Sequence, residues 1–423
     1  MLSGPGFPMK KSNLRTLTFT LGAILVVYCS VGIFSETLWP NNEQLESALC
    51  RLFLCDNASL IWRARDQLPG VRKAAPRENI ATFQKVLQRD PHDPRRWADL
   101  GEALLHAGKK EDARYCFGQV LALAPRSADF LLRVANFHFQ IAENKQALPI
   151  TARILTLVPD YDSIIFNDYI SFVDNAEDMV EYGLPEDRRA AKAWLQFLIQ
   201  ARRLDDAEHT WDWVASHGHA DDALAGEFAE FLVRQGHPDS AASAWAQHLG
   251  TRVGDYRKTT YLFNGDLESE PVQSPFDWTV ARTEGVEVAR DCTISWSGKC
   301  SLHILFGGTR NLDFAAASQL TFVHPGSFHF HAYIRTDSLT TDQGLRFQIS
   351  DAEAPARFDV VFGQFTGSSP WSAVENDLRV GPETRLLRVQ VIRQPSMKFD
   401  NKVGGTAWID DLKLEPFDSH SLR

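Results

Sequence analysis

Cysteine is scarce in this sequence, six in 423 residues, which excludes the disulfide-dense scaffolds that compensate for a core too small to hold itself together. A basic excess is missing as well. With 44 Lys and Arg against 54 Asp and Glu, and a formal charge of −10, there is no concentrated basic surface to displace counterions from nucleic acid. The signatures of the commoner enzyme classes are absent too: no G-x-x-x-x-G-K-[ST], no H-E-x-x-H, no G-x-S-x-G and no dinucleotide fingerprint between a strand and a helix. These absences lead to the expectation of a chain that is not an enzyme.

The length does allow two or three folded units, each with its own core. Near the start, the segment 14–34 is uncharged apart from Arg15, and its apolar run is about as long as a helix needs to cross a bilayer. Lys10, Lys11 and Arg15 lie before or at its start, whereas Glu36, Glu43 and Glu46 follow it. The positive-inside bias then predicts a cytoplasmic N-terminus over 1–13, a single-pass transmembrane helix over 14–34 and a periplasmic or extracellular body. A cleaved signal peptide is the alternative, but a small-residue cleavage site is missing, and Tyr28 before Cys29 fits no lipoprotein box. Residues 35–75 read as a linker with short helices. In an oxidising compartment Cys292 and Cys300, which flank a Ser-Trp-Ser-Gly turn, become a candidate disulfide, and Cys50 and Cys55 could close a smaller loop. Cys116, among apolar helical positions, reads as a buried thiol.

Pro91, Pro125 and Pro159 recur at an interval of 34 residues, and other positions keep step: Trp97 with Leu131, Leu100 with Val134, Gly101 with Ala135, Ala113 with Ala147. A second register repeats Trp194, Leu198, Ala207 and Trp211 as Phe228, Leu232, Ala241 and Trp245. Such a period marks paired antiparallel helices stacked in a solenoid. Trp97 and Leu100 share one helical face, Gly101 and Ala113 let two helices approach, and Gly108 turns the chain. The two registers are out of phase, so an irregular segment is expected between Asp160 and Arg189, around Gly183 and Pro185. The set Trp97, Leu100, Gly101, Leu104, Gly108, Ala113, Phe117 and Pro125 resembles the tetratricopeptide pattern, and the resemblance over 76–250 implies binding of an envelope protein or peptide.

After Gly254 helical spacing gives way to short alternating runs between Gly, Pro, Asn and Asp, an all-β texture. In Phe328–Arg335, Phe328, Phe330, Ala332 and Ile334 point one way, and His329, His331, Tyr333 and Arg335 the other. Leu345, Phe347 and Ile349 face a core while Arg346 and Gln348 do not; Leu387, Val389 and Val391 do the same. The ordered landmarks Phe263–Glu268, Trp278, Ser297–Ile304, Pro325-Gly326 and Ala407–Leu412 resemble the galactose-binding-like jelly roll of carbohydrate-binding modules, especially the family 4/9 type, over 255–418. The fold class expected is therefore multidomain: a transmembrane helix, an all-α tetratricopeptide-like solenoid and an all-β jelly-roll sandwich.

That resemblance implies a glycan-binding sheet face, for which His329, His331, Tyr333, Arg335, Arg346, Gln348 and Trp371 are the candidates, Tyr333 stacking on a sugar ring. It also implies a structural calcium ion between the first and last strands, with Glu268 and Asp410 as candidate ligands. No other cofactor is expected. His329 and His331 have metal-like spacing without third and fourth ligands, and His217, His219, Asp221 and Asp222 read as an inter-helix loop before an acidic helix start. Asp351, Glu353 and Asp359 offer no opposed carboxylate pair of the kind a glycosidase needs. The function these features imply is a membrane-anchored extracytoplasmic scaffold for protein partners and polysaccharide, in exopolysaccharide assembly or surface organisation. The alternative is a carbohydrate-binding module displayed on a helical spacer, with a polysaccharide hydrolase behind both.

Overall fold

The computed structural model describes residues 76–340 and 342–417. The expected transmembrane helix over 14–34, the linker over 35–75 and Cys50 with Cys55 lie outside the described residues. Among those that are described, no helix is long and apolar enough to cross a membrane. Compactness divides the chain after Val158, rather than near residue 250 where the texture of the sequence changes.

The first unit is built of α1 (Pro76–Arg89), α2 (Pro94–His106), α3 (Lys110–Leu123), α4 (Ala128–Gln140) and α5 (Asn144–Leu157). α2 starts where it does because Asp93 accepts the Arg95 N–H, with Pro94 supplying the first helical residue. α2 and α4 open 34 residues apart, as do α3 and α5. Gly101 is where α2 meets α3: a Cβ there would come within 2.9 Å of the buried Phe117 ring. That ring stacks on Phe137 of the next hairpin, with centroids 4.6 Å apart. Polar ties follow the same period. Arg133 on α4 donates to Asp99 and Glu102 on α2, both at 2.7 Å, and Asp99 is buried. Cys116 is buried and unpaired, and burial, with a smaller contribution from Asp112, pushes its thiol up to about 12.

Arg114 on α3 holds the Glu143 carboxylate at 2.5 Å. This bond, against some opposing desolvation and with help from His138, lowers the Glu143 pKa from 4.5 to about 2. A depressed carboxylate stabilises the fold above its unfolded pKa, and that contribution is lost as pH falls through the folded value. Acid titration of the helical signal should accordingly show a loss developing between pH 4.5 and about 2. In Glu143→Gln that component should vanish; an unchanged acid profile would remove the pair from the account.

In the second unit, α6 (Asp162–Phe172), α7 (Arg188–Gln200), α8 (Leu204–Ser216), α9 (Asp222–Arg234) and α10 (Pro238–Leu249) precede the strands. The stretch between α6 and α7 is irregular and includes a π-helical turn, Met179–Gly183, whose last carbonyl accepts the Tyr169 hydroxyl at 2.7 Å. Beyond it the 34-residue spacing resumes from α7 to α9 and from α8 to α10. Asp187 and Asp221 cap α7 and α9 by accepting the N–H three residues on, each at 2.8 Å. Trp194 is fully buried among Phe166, Tyr169 and Phe197. The last helices then pack on the β domain, where Trp245 meets Phe263 edge-on and a Cβ on Gly226 would touch Ser274.

Among the described residues ten antiparallel strands form two five-stranded sheets. One sheet runs in the order β1 (Thr279–Val280), β4 (Phe314–Phe322), β9 (Leu386–Arg393), β6 (Leu345–Asp351), β7 (Asp359–Phe365). The other runs β2 (Val286–Asp291), β3 (Ser301–Gly307), β10 (Gly404–Pro416), β5 (Gly326–Leu339), β8 (Gly367–Val380). Side chains alternate along each strand, so one face of each sheet enters a shared core. β5 contributes Phe328, Phe330, Ala332 and Ile334, β6 contributes Leu345, Phe347 and Ile349, and β9 contributes Leu387, Val389 and Val391. Trp278 lies wholly within that core and donates its indole N–H to the Asn264 carbonyl at 3.0 Å.

Candidate functional site

β5 and β6 belong to opposite sheets, which separates the residues expected on one binding face. His329, His331, Tyr333 and Arg335 lie on the outer surface of the β2-β3-β10-β5-β8 sheet, and Trp371 on β8 joins them. Arg346 and Gln348 lie on the outer surface of the other sheet, on the far side of the core. The single face is thereby corrected to two. Alternation shows which residues leave the core, not through which sheet they leave.

On the β6 side, Gln348 pairs in register with Gln390 of β9 and Val361 of β7. The Gln390 amide donates to the Gln348 carbonyl oxygen at 2.6 Å, and the Gln348 amide donates to Asp359 at 2.7 Å. Arg346, one pleat along, donates to Gln343 and Gln364. The two glutamines open onto a groove of about 470 Å³, lined also by Asp313, Phe314, Ala315, Ile392, Gln394, Pro395 and Met397. Met397 is fully exposed at its rim. The volume lies within the range of small-molecule sites, and the lining combines apolar walls with a few convergent amides.

That rim is held by Arg393, at the end of β9, which is 1% exposed. Its guanidinium donates to the carbonyls of Leu312, Gln343 and Asn401 and to the Asn311 side chain. Asn311 in turn accepts the Ser396 N–H at 2.9 Å and donates to the Ser396 carbonyl at 2.8 Å. A buried arginine thus ties Leu312, Gln343 and Asn401 to the end of β9, next to groove residues Ile392 and Gln394.

On the opposite sheet Trp408 is sandwiched between His303 and Arg335, with its indole N–H on Asp291. His329 bonds Asp377 at 2.7 Å, and His331 bonds Asp411 at 3.0 Å. The two imidazoles therefore serve different carboxylates. Burial lowers the His331 pKa against the pull of Asp411. Tyr333 is covered rather than open: the Trp296 ring stacks on it with centroids 4.1 Å apart. Trp296 sits in the loop between β2 and β3, which the Cys292–Cys300 disulfide closes.

Glu268 and Asp410, the expected calcium ligands, both accept main-chain N–H groups of this loop. Asp410 takes those of Trp296 and Ser297 at 2.7 and 2.9 Å, and Glu268 those of Lys299 and Cys300 at 2.6 and 3.0 Å. N–H donors aimed at the carboxylate oxygens do not suit a shared cation, so these residues do not fit a calcium site. Among the described residues no group of three or more His, Cys, Asp or Glu is arranged to hold a metal ion. Asp351 likewise caps a turn, accepting from Glu353, Ala354 and Thr384. Asp221 is a helix cap, and Asp222 pairs with His248 and Arg252.

No family model matches the chain, and no curated protein matches it. Solved structures of carbohydrate-binding modules are similar to it over the C-terminal β region. A family 61 module in complex with β-1,4-galactotriose is 15% identical, covers 37% of this chain and 99% of its own, and superposes with a TM-score of 0.27. A family 22 xylan-binding domain from Paenibacillus barcinonensis is 14% identical over 37% of this chain and 93% of its own, with a TM-score of 0.26. A second family 22 module, from Clostridium thermocellum, is 16% identical over 36% and 94%, again at 0.26.

Proposed function

We propose that the β domain holds a glycan chain in the groove over Gln348 and Gln390, and that the helical hairpins carry it as part of a membrane-tethered extracytoplasmic scaffold. The observation that carries the glycan reading is the relay Gln390–Gln348–Asp359. It fixes the Gln348 and Gln390 amides beside apolar Ile392, Pro395 and Met397, the mixed surface that sugar hydroxyls and C–H faces require. The tetratricopeptide-like reading of the hairpins is supported by their 34-residue spacing and by the signature around Trp97. The tether rests on the apolar segment 14–34 and the charges around it. Binding rather than turnover is the role assigned, in exopolysaccharide assembly or surface organisation, and the reading needs no cofactor.

Calorimetric titration of the full chain with β-1,4-linked gluco-, xylo- and galacto-oligosaccharides tests the groove. Gln348→Ala and Gln390→Ala should each weaken binding about tenfold, or about 1.4 kcal/mol. Unaltered affinity in both variants would sink the groove as the site. Retention of envelope proteins by the wild-type chain, lost when 76–250 is deleted, tests the scaffold part.

A further inference from the structure

The outer face of the β2-β3-β10-β5-β8 sheet carries an aromatic group that the groove does not use. Trp296 is 47% exposed although its loop is tightly fixed. The Cys292–Cys300 disulfide closes the loop, buried Asp410 receives the N–H groups of Trp296 and Ser297, and Glu268 receives those of Lys299 and Cys300. Arg290 fixes Glu268 in turn, donating to the carbonyls of Leu267 and Glu268 at 2.6 Å each. An indole held this firmly with half its surface in water is a presented group, not a filler of the core.

Its geometry narrows the ligand. Trp296 lies nearly parallel to Tyr333, 17° between planes, so one indole face is spent and the other is offered. Trp371 stands 6.4 Å away, tilted by 56°, and makes an angled wall. A cage for a quaternary ammonium needs several open ring faces around one point, and here the Tyr333 face is covered. A protein hot spot needs a ring of apolar neighbours that excludes water, whereas the adjoining β8 positions include Ser369, Ser372, Glu375 and Asp377. Glu375, exposed on β8 opposite His331, also disfavours an anionic ligand. A neutral pyranose ring, with an apolar C–H face and hydroxyls at its edge, meets these conditions.

We infer that Trp296, with Trp371 beside it, is a second sugar-stacking platform for neutral glycan, on the opposite side of the sandwich from the Gln348–Gln390 groove. The inference rests on the glycan reading above, and one experiment separates their failures. The full chain in a sugar-free polyoxyethylene detergent is titrated with the same β-1,4-linked oligosaccharides, following heat and tryptophan fluorescence. Wild type should take up two equivalents. Trp296→Ala should take up one and lose the fluorescence response, Trp296→Phe should bind at the platform more weakly by about tenfold or less, and Gln348→Ala with Gln390→Ala should keep the response. Trp296→Ala with unchanged stoichiometry and fluorescence overturns the platform and leaves the groove standing. Loss of all binding in Trp296→Ala, with the glutamine variant unaffected, supports the platform and overturns the groove. A wild type that binds none of the sugars overturns both.

Discussion

Asp410→Ala should lower the stability of the β domain by about 3 kcal/mol, because it removes the common acceptor of three main-chain N–H groups. Those groups belong to Trp296, Ser297 and Asp411, and Asp410 itself is 0% exposed. Burial raises the Asp410 pKa, while the same three N–H groups pull it down. A carboxylate pushed upward by desolvation is stabilised less by its charge than its bond count suggests, so Asp410→Asn should cost less, about 1 kcal/mol. Urea unfolding of the full chain, followed by the near-ultraviolet signal of the stacked indole, should show a lower midpoint with an unchanged slope. An unshifted midpoint in Asp410→Ala would mean that the loop is held by its disulfide and by Glu268 alone. Because the Trp296 N–H is one of those released, the alanine variant should also lose the platform's fluorescence response.

The helical part of this fold was legible because its packing positions recur. Trp97, Leu100 and Gly101 have counterparts in Leu131, Val134 and Ala135, and the helices that carry them open at Pro94 and Ala128. Strands were legible for a similar reason: Phe328, Phe330 and Ile334 alternate with polar residues, and all three are buried. Sheet membership left no trace in either pattern. It depends on which strand pairs with which, and β6 pairs with β7 and β9 rather than with β5. Arg346 and Gln348 therefore moved away from Tyr333. Glu268 and Asp410 read as oxygen ligands because a sequence shows carboxylates but not the main-chain donors that surround them. Trp296 was visible only as a tryptophan in a turn between two cysteines. A loop closed at both ends by a disulfide can hold such an exposed ring in place.

Arg393 is the residue whose role the sequence hides most completely, since it follows the alternating run Leu386–Ile392 and reads as the charged end of a strand. Its acceptors come from loops far apart in the chain, Leu312, Gln343 and Asn401. Replacing it with leucine would keep much of the volume but strand those carbonyls, and two left without donors at about 1–3 kcal/mol each predict a loss of about 3 kcal/mol or more. Arg393→Lys should recover only part of this, because one ammonium cannot reproduce a planar fork that serves several acceptors. The consequence for binding is local. Asn311 loses its contact with the guanidinium, and Asn311 bonds the main chain of Ser396, between groove residues Pro395 and Met397. Arg393→Leu should therefore weaken sugar binding at the groove while leaving the Trp296-dependent fluorescence response intact. A variant that loses both responses together has unfolded the sandwich. One that loses stability with groove affinity unchanged would show that the 394–403 loop does not shape the site.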